Sequence, residues 1–458
     1  MTILLPLEIK HREFHSKIFL ATKILEKTNF QVVIGEKSKV YNIFKKNNEV
    51  YLLSKGGPKP GFRFEKRNYK KNYLGILDEE GPILNLDVNE KKTRLHKHIL
   101  DNIDDYFIWG SQDLKKNRFL FKKYNNKLQL FGHPKFDILK NKSIKFYEND
   151  IRKIKNKFKN FILVSSSFPV DQIMPKKSFN KFRFKNFEMG KNRNKIISRF
   201  NKYLNFEKKN YLKLIDLLIK FAKLNPDINI VFRPHPRQNI DLVKKRFKPI
   251  NNNIKIIYEG VITPWIVASD LYIHSGCTSV LEAAALKKKI IYFIHKEHYK
   301  KSKMFRKYGY YFNNIDKCLS FMNSNIKKNK MNLKNSKQPV NIIENTKINK
   351  FFYKNFIKFM INNYNNKLLP LKNFYSENNS FKEKTLKIRS NAKKIIMKTP
   401  FLKDLVFHIK PSIILSKEYK KKKFPYLNKN EIVKCISWST NKKILVKQLS
   451  KDLFLLKK

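Results

Sequence analysis

Glycine is scarce in this sequence, with 12 in 458 residues. A glycine in a loop that opens a helix is therefore more informative than usual. There are three cysteines, Cys277, Cys318 and Cys435, and no C-x-x-C pair. This spacing excludes a disulfide framework and a paired-cysteine zinc site, and predicts a reducing compartment. Cys277 is expected to pack as a small residue rather than act as a nucleophile. No run of 18 apolar residues occurs, and the run near Ile3 is too short for a signal peptide. The expected location is cytoplasmic. The sequence also lacks a D-x-D triplet, a Walker loop and G-x-G-x-x-G. Their absence argues against a metal-held diphosphate, ATP and NAD, so no metal and no cofactor are expected.

Acidic residues are few, with 36 Asp and Glu against 100 Lys and Arg, for a formal net charge of +64. Lys, Asn, Ile, Phe and Tyr are over-used together, which makes compositional bias the main cause. No recognised nucleic-acid module is present, so nucleic acid is not the expected partner. The charge would still draw the chain toward an anionic inner-membrane surface.

Short apolar runs alternate with amphipathic stretches from the start. Ile3–Leu7, Phe30–Ile34, Glu49–Leu53, Leu74–Leu77, Tyr106–Trp109 and Leu128–Phe131 read as strands of one lobe, residues 1–145. Phe161–Val164, Ile228–Phe232, Ile254–Tyr258, Leu271–Ile273 and Ile290–Ile294 read as strands of a second, residues 157–300. Helical spacing between them predicts an α/β chain with two doubly wound, Rossmann-like domains facing a cleft. Residues 171–204 read as a basic insertion, 301–365 as a helical extension and 366–458 as a basic tail. Asn428 and Glu431 match a capping box that opens a final helix.

Four clusters follow predicted strands, where such folds place their ligands. Arg233-Pro234-His235-Pro236-Arg237 fixes an imidazole between two prolines and beside two guanidinium groups, which suits a phosphate. His274, Ser275, Gly276, Cys277, Thr278 and Ser279 open a helix and could present N–H and hydroxyl groups to an anion, with Glu282 one turn on facing a ribose. The bland alternatives are N-capping for Ser275 and Thr278 and an exposed helix position for Glu282. Asp78-Glu79-Glu80-Gly81 offers a carboxylate to take a hydroxyl proton; it could equally be an acidic turn. Glu8, Lys10, Arg12 and Glu13 follow the first strand and are candidate acceptor contacts. Gly132-His133-Pro134 and the loop at Trp265 are expected to shape the cleft.

Leu5-Pro6-Leu7-Glu8-Ile9-Lys10, the Asp78–Gly81 loop, Gly132-His133-Pro134-Lys135-Phe136-Asp137 and Gly276-Cys277-Thr278-Ser279 together resemble the bacterial surface carbohydrate biosynthesis proteins. The order of Glu79-Glu80-Gly81, His235-Pro236 and Ser275–Ser279 is also similar to motifs of bacterial sialyltransferases of the GT-B type. Arg233-Pro234-His235-Pro236 is similar to the glycerophosphate transferases of teichoic acid synthesis. The resemblance implies Glu79 or Glu80 as general base and His235 as the group that stabilises the leaving phosphate. It implies a nucleotide-sugar donor, CMP-linked sugars among the candidates, and a saccharide or lipid-linked acceptor. The expectation is a metal-independent inverting glycosyltransferase of surface polysaccharide or lipopolysaccharide synthesis. A CDP-glycerol-type glycerophosphotransferase, a nucleotide-sugar 2-epimerase and a basic nucleic-acid-binding protein are the alternatives.

Overall fold

The computed structural model describes residues 1–56, 64–69, 71–80, 97–120, 122–140, 143–168, 170–171, 193–247, 253–296, 305–327, 330–331, 333–364 and 424–458. Gly81, most of the expected basic insertion and the Lys420–Lys423 run lie outside them.

The first lobe is built from β1 (Thr2–Leu7), α1 (Lys10–Lys27), β2 (Gln31–Glu36), α2 (Lys37–Lys46), β3 (Val50–Ser54), β4 (Tyr73–Leu77), β5 (Asp105–Ile108), β6 (Leu128–Leu130) and α3 (Pro134–Ile138). β1 to β6 pair in parallel in the order β2-β1-β3-β4-β5-β6. Both faces are covered, as a strand buried on each side requires. Ile3, Leu5 and Leu7 enter one core, while Leu4 enters the other.

Helix α4 (Glu148–Phe158) leads into the second lobe. There β7 (Phe161–Ser165), α5 (Arg193–Leu224), β8 (Asn229–Arg233), β9 (Ile254–Ile256), α6 (Ile262–Ala268), β10 (Leu271–His274), α7 (Val280–Ala285), β11 (Lys289–Phe293), β12 (Tyr310–Phe312) and α8 (Ile315–Asn325) follow in turn. The sheet order is β12-β11-β10-β7-β8-β9, all parallel. Phe161 and Leu163 face one core, Ile162 and Val164 the other. This is the expected arrangement of two doubly wound, Rossmann-like lobes.

The segments after residue 300 depart from the expectation of an extension and a separate tail. β12 and α8 complete the second lobe, with Ile315, Cys318 and Met322 in its core. A small hairpin follows, β13 (Ile326–Lys327) with β14 (Lys330–Met331). The chain then crosses back. α9 (Phe352–Asn363) buries Phe352, Phe356 and Met360 in the first lobe's core. α10 (Lys429–Ser439) packs beside α1, and β15 (Leu445–Ser450) and β16 (Leu453–Lys457) extend the first sheet. β16 runs antiparallel to β2, pairing Phe454 with Ile34. The reason is physical: β2 would otherwise be an open, apolar edge. Asn428 caps α10 through Oδ1, which accepts from the Glu431 amide at 2.8 Å. The Glu431 side chain is turned instead to Lys10, so half of the expected capping box forms.

Candidate functional site

The lobes meet around a cavity of about 320 Å³ lined from both sides. Residues at or just beyond the carboxyl ends of β4, β7, β8, β9 and β10 supply much of the wall. This follows from the parallel sheets, whose strand-end loops all open toward one crevice.

From the first lobe, α1 presents His11, Arg12, His15 and Ser16, one helical face by spacing. Glu80 lies beside them, its side chain 44% exposed, with Oε1 accepting from Arg12 Nη1 at 3.1 Å. The Glu80 amide donates to Asp78 Oδ1 at 3.0 Å, and Trp109 Nε1 donates to the Asp78 carbonyl at 3.0 Å. Burial alone would lower the Arg12 pKa, but Glu80, Glu13 and Glu79 together hold it above the usual guanidinium range. Burial, with Lys10 and His11 nearby, drops His15 to about 3, so this ring is neutral.

Glu79 does not share the cleft. It is buried behind the wall, with Oε1 3.1 Å from Lys17 Nζ and Oε2 3.2 Å from His133 Nε2. Burial would raise its pKa, but the Lys17 ammonium and the His133 donor outweigh that and hold it ionised. A carboxylate committed to a buried ammonium is poorly placed to take a substrate proton, which corrects the expectation that either glutamate could be the base. His133 is neutral, its pKa lowered by burial against the pull of Glu79. Its Nδ1 accepts from the Lys135 amide at 3.2 Å, which leaves the proton on Nε2 facing Glu79.

Three of the four candidate acceptor residues are also structural. Glu8 pairs with Lys37 and Lys55, each at 2.9 Å. Lys10 donates to the Tyr426 carbonyl at 2.7 Å and pairs with Glu431, tying α1 to α10. Glu13 accepts from the Glu8 amide at 2.7 Å and from Arg12 at 3.1 Å. Arg12 alone of the four reaches the cavity.

From the second lobe come Arg233, Pro234, His235, Pro236 and Arg237. Arg233 is buried; it donates to the carbonyls of Glu259 (2.8 Å) and Gly260 (3.1 Å) and lies over the Trp265 ring at 5.1 Å. Among the described residues no carboxylate lies within ion-pair distance of it. Burial lowers its pKa to about 10, which leaves it cationic at neutral pH. His235 is lowered to about 4 by burial and by Arg237, against an opposing pull from Glu80. Its Nδ1 accepts from the Arg237 amide at 3.2 Å, so the neutral ring carries its proton on Nε2.

The turn after β10 divides. Cys277, Thr278 and Ser279 line the cavity. His274 and Ser275 do not: His274 is sealed in the core between the Tyr272 and Tyr292 rings, and Ser275 Oγ donates to the Phe293 carbonyl at 2.6 Å. Both are corrected from ligand contacts to supports of the turn. Gly276 sits at φ +90°, a conformation glycine adopts without strain, and lets the chain double back. The helix that follows has six residues, too short to add much dipole to the N–H groups at its start. Glu282 is buried rather than on an exposed helix face, accepting from Thr263 Oγ1 at 2.6 Å and pairing with Lys135 of the other lobe at 3.2 Å.

Nothing in the sequence marked Lys17 or Ser166 as a site residue, and Lys135 stood only within the Gly132–Asp137 motif. Ser166 lines the cavity with a buried hydroxyl that has no partner among the described residues. Lys17 was legible only as the i+4 partner of Glu13 on α1. Among the described residues no three His, Cys, Asp or Glu side chains gather as a metal site, and no helix is long and apolar enough to cross a membrane.

No family model and no curated protein matches this chain. Solved structures with a similar course include a UDP-GlcNAc 2-epimerase from Methanocaldococcus jannaschii in complex with UDP-GlcNAc and UDP. It shares 14% identity over 79% of this chain and 99% of that one, with a TM-score of 0.46. The UDP-GlcNAc 2-epimerase from Neisseria meningitidis bound to UDP-GlcNAc shares 12% identity over 79% and 100%, with a TM-score of 0.47. The wall teichoic acid polymerase TagF shares 12% over 70% and 79%, with a TM-score of 0.44.

Proposed function

We propose that the cleft transfers a sugar from a nucleotide-activated donor to an acceptor hydroxyl with inversion, in the synthesis of a surface polysaccharide. One observation carries this reading. The cleft sets a half-exposed carboxylate, Glu80, on one lobe against a buried guanidinium, Arg233, that has no carboxylate partner among the described residues, and a neutral imidazole, His235, on the other. Such an arrangement suits a substrate that gains negative charge on one side and loses a proton on the other.

In the proposed step Glu80 takes the hydroxyl proton of the acceptor. The acceptor oxygen bonds to the anomeric carbon, the bond from that carbon to the donor phosphate breaks, and its electron pair leaves with the phosphate. Arg233 and the Nε2–H of His235 receive that charge. Ser166, Thr278 and Ser279 would contact the donor's polar groups, and Arg12 would hold Glu80 in place. The acceptor would be a saccharide, free or lipid-linked, and the +64 charge favours work at an anionic membrane surface.

The test is nucleotide-dependent thermal stabilisation with CMP, CDP, UDP and GDP, on the native chain and on His235→Ala and Arg233→Gln. Selective stabilisation by CMP, lost in both variants, supports a CMP-sugar donor. A preference for CDP would move the reading to glycerophosphate transfer, and one for UDP to a different sugar donor or a 2-epimerase. No response to any nucleotide would overturn it.

A further inference from the structure

Glu79 poses a question that its neighbour does not answer. An ionised carboxylate with a side chain 1% exposed, beside an ammonium also 1% exposed, is costly to build and adds little to stability over an apolar pair. Its contacts lead back to the cleft. Glu79 pairs with Lys17; Lys17 donates to the Pro6 carbonyl at 2.6 Å and lies 3.7 Å from Glu13; Glu13 pairs with Arg12; and Arg12 bonds Glu80. His133 closes the far end through Nε2. Three elements are joined in this way: α1, the loop after β4, and the loop after β6.

We propose that Lys17, Glu79 and His133 are positioning residues that fix the loop carrying Glu80 and set the electrostatic field at its carboxylate. The proposal rests on Glu80 as the proton acceptor of the proposed function. Along the ion-paired chain there are three carboxylates, Glu13, Glu79 and Glu80, and two cations, Arg12 and Lys17, while His133 is neutral. Glu13 and Glu79 balance Arg12 and Lys17, so the charge left over is that of Glu80 itself, and a change at Lys17 or Glu79 unbalances the field at the one carboxylate of this chain that lines the cleft. Other charged or titratable groups around Glu80 are Asp78, whose Oδ1 is held by the Glu80 amide, His11 and His15 of α1, Lys135, and across the cleft Arg233, His235, Arg237 and Glu282.

The sign of each perturbation follows from Coulomb's law. Glu79→Gln removes a negative charge and lowers the proton affinity of Glu80. Lys17→Met removes a positive charge and raises it. His133→Leu withdraws the Nε2–H dipole from Glu79 and also raises it, at a cost in stability because a buried carboxylate loses a donor. The double variant Lys17→Met/Glu79→Gln removes both charges together and returns it toward the native value.

Carbodiimide coupling of glycinamide to Glu80, mapped by peptide mass spectrometry over a pH series, reads this without any substrate. The half-labelling pH should fall by about half a unit in Glu79→Gln and rise in Lys17→Met and His133→Leu, with the double variant near native. An unchanged half-labelling pH in Glu79→Gln and His133→Leu would overturn the proposal, as would shifts of the same sign in the two. Because the labelling needs no donor, that failure leaves the transfer reading standing. Undiminished transfer by Glu80→Gln would remove the base instead, whatever the labelling shows.

Discussion

At the scale of single residues, Glu79 and Glu80 are neighbours in the chain yet stand in opposite settings, one buried against Lys17 and the other lining the cleft. Strand-end positions mark the loops that carry Arg233, His235 and Glu80 in the sequence, and two prolines flank His235. Glu79 and His274 were indistinguishable from ligand contacts in the sequence, since nothing local says which of two adjacent glutamates turns inward. That choice is made by Lys17 and His133, far along the chain from Glu79. If Glu80 is the base, Glu80→Gln should cut transfer by at least about a hundredfold while nucleotide stabilisation persists, as a kinetic assay beside a thermal-shift assay would show. Gly132 makes a second test. It sits at φ +89°, and a Cβ there would collide with Asn345 Oδ1. Asn345 in turn holds both the His133 amide and the Asp137 carboxylate. Gly132→Ala should therefore lower stability by about 1–3 kcal/mol, read from the denaturant midpoint.

At the scale of elements, all eleven expected strands form, with ends that differ by a residue or two, because apolar runs bounded by polar loops are strong signals. The elements after residue 300 were not legible as parts of either lobe. Their own patterns say helix or strand but not which sheet they serve, and that is decided by edges and faces left bare elsewhere. Asp452 shows how weak the local signal was: it turns β15 into β16 at φ +59°, within a lysine-rich stretch that reads as a tail. The assignment of α9 to the first lobe has a measurable consequence. Phe356 is fully buried against Phe107 and Phe352. Phe356→Ala should cost about 3–5 kcal/mol, measured by urea unfolding, whereas an extension outside the core would tolerate the change.

At the scale of the whole molecule, the buried imidazoles set the response to acid. His15 and His274 are lowered to about 3 and His235 to about 4, all by burial first. A histidine depressed in the fold contributes stability that is complete above its unfolded pKa, about 6.5, and is lost as pH falls toward the folded value. Asp105 and Asp137, raised to about 6 by burial, act with the opposite sign but are fewer and less shifted. The melting temperature should therefore hold from pH 8 to about 7 and decline between about 6.5 and 4; a rise over that window would contradict the neutral state of these rings. The pairing of β16 with β2 bears on how the protein is made. Phe454 meets Ile34 across 454 − 34 = 420 residues of chain. A polypeptide emerging from the ribosome exposes β2 early and can seal that edge only when β16 arrives, far along the chain. Until then the first sheet carries an apolar border with no partner, which makes the nascent chain a natural client for chaperones.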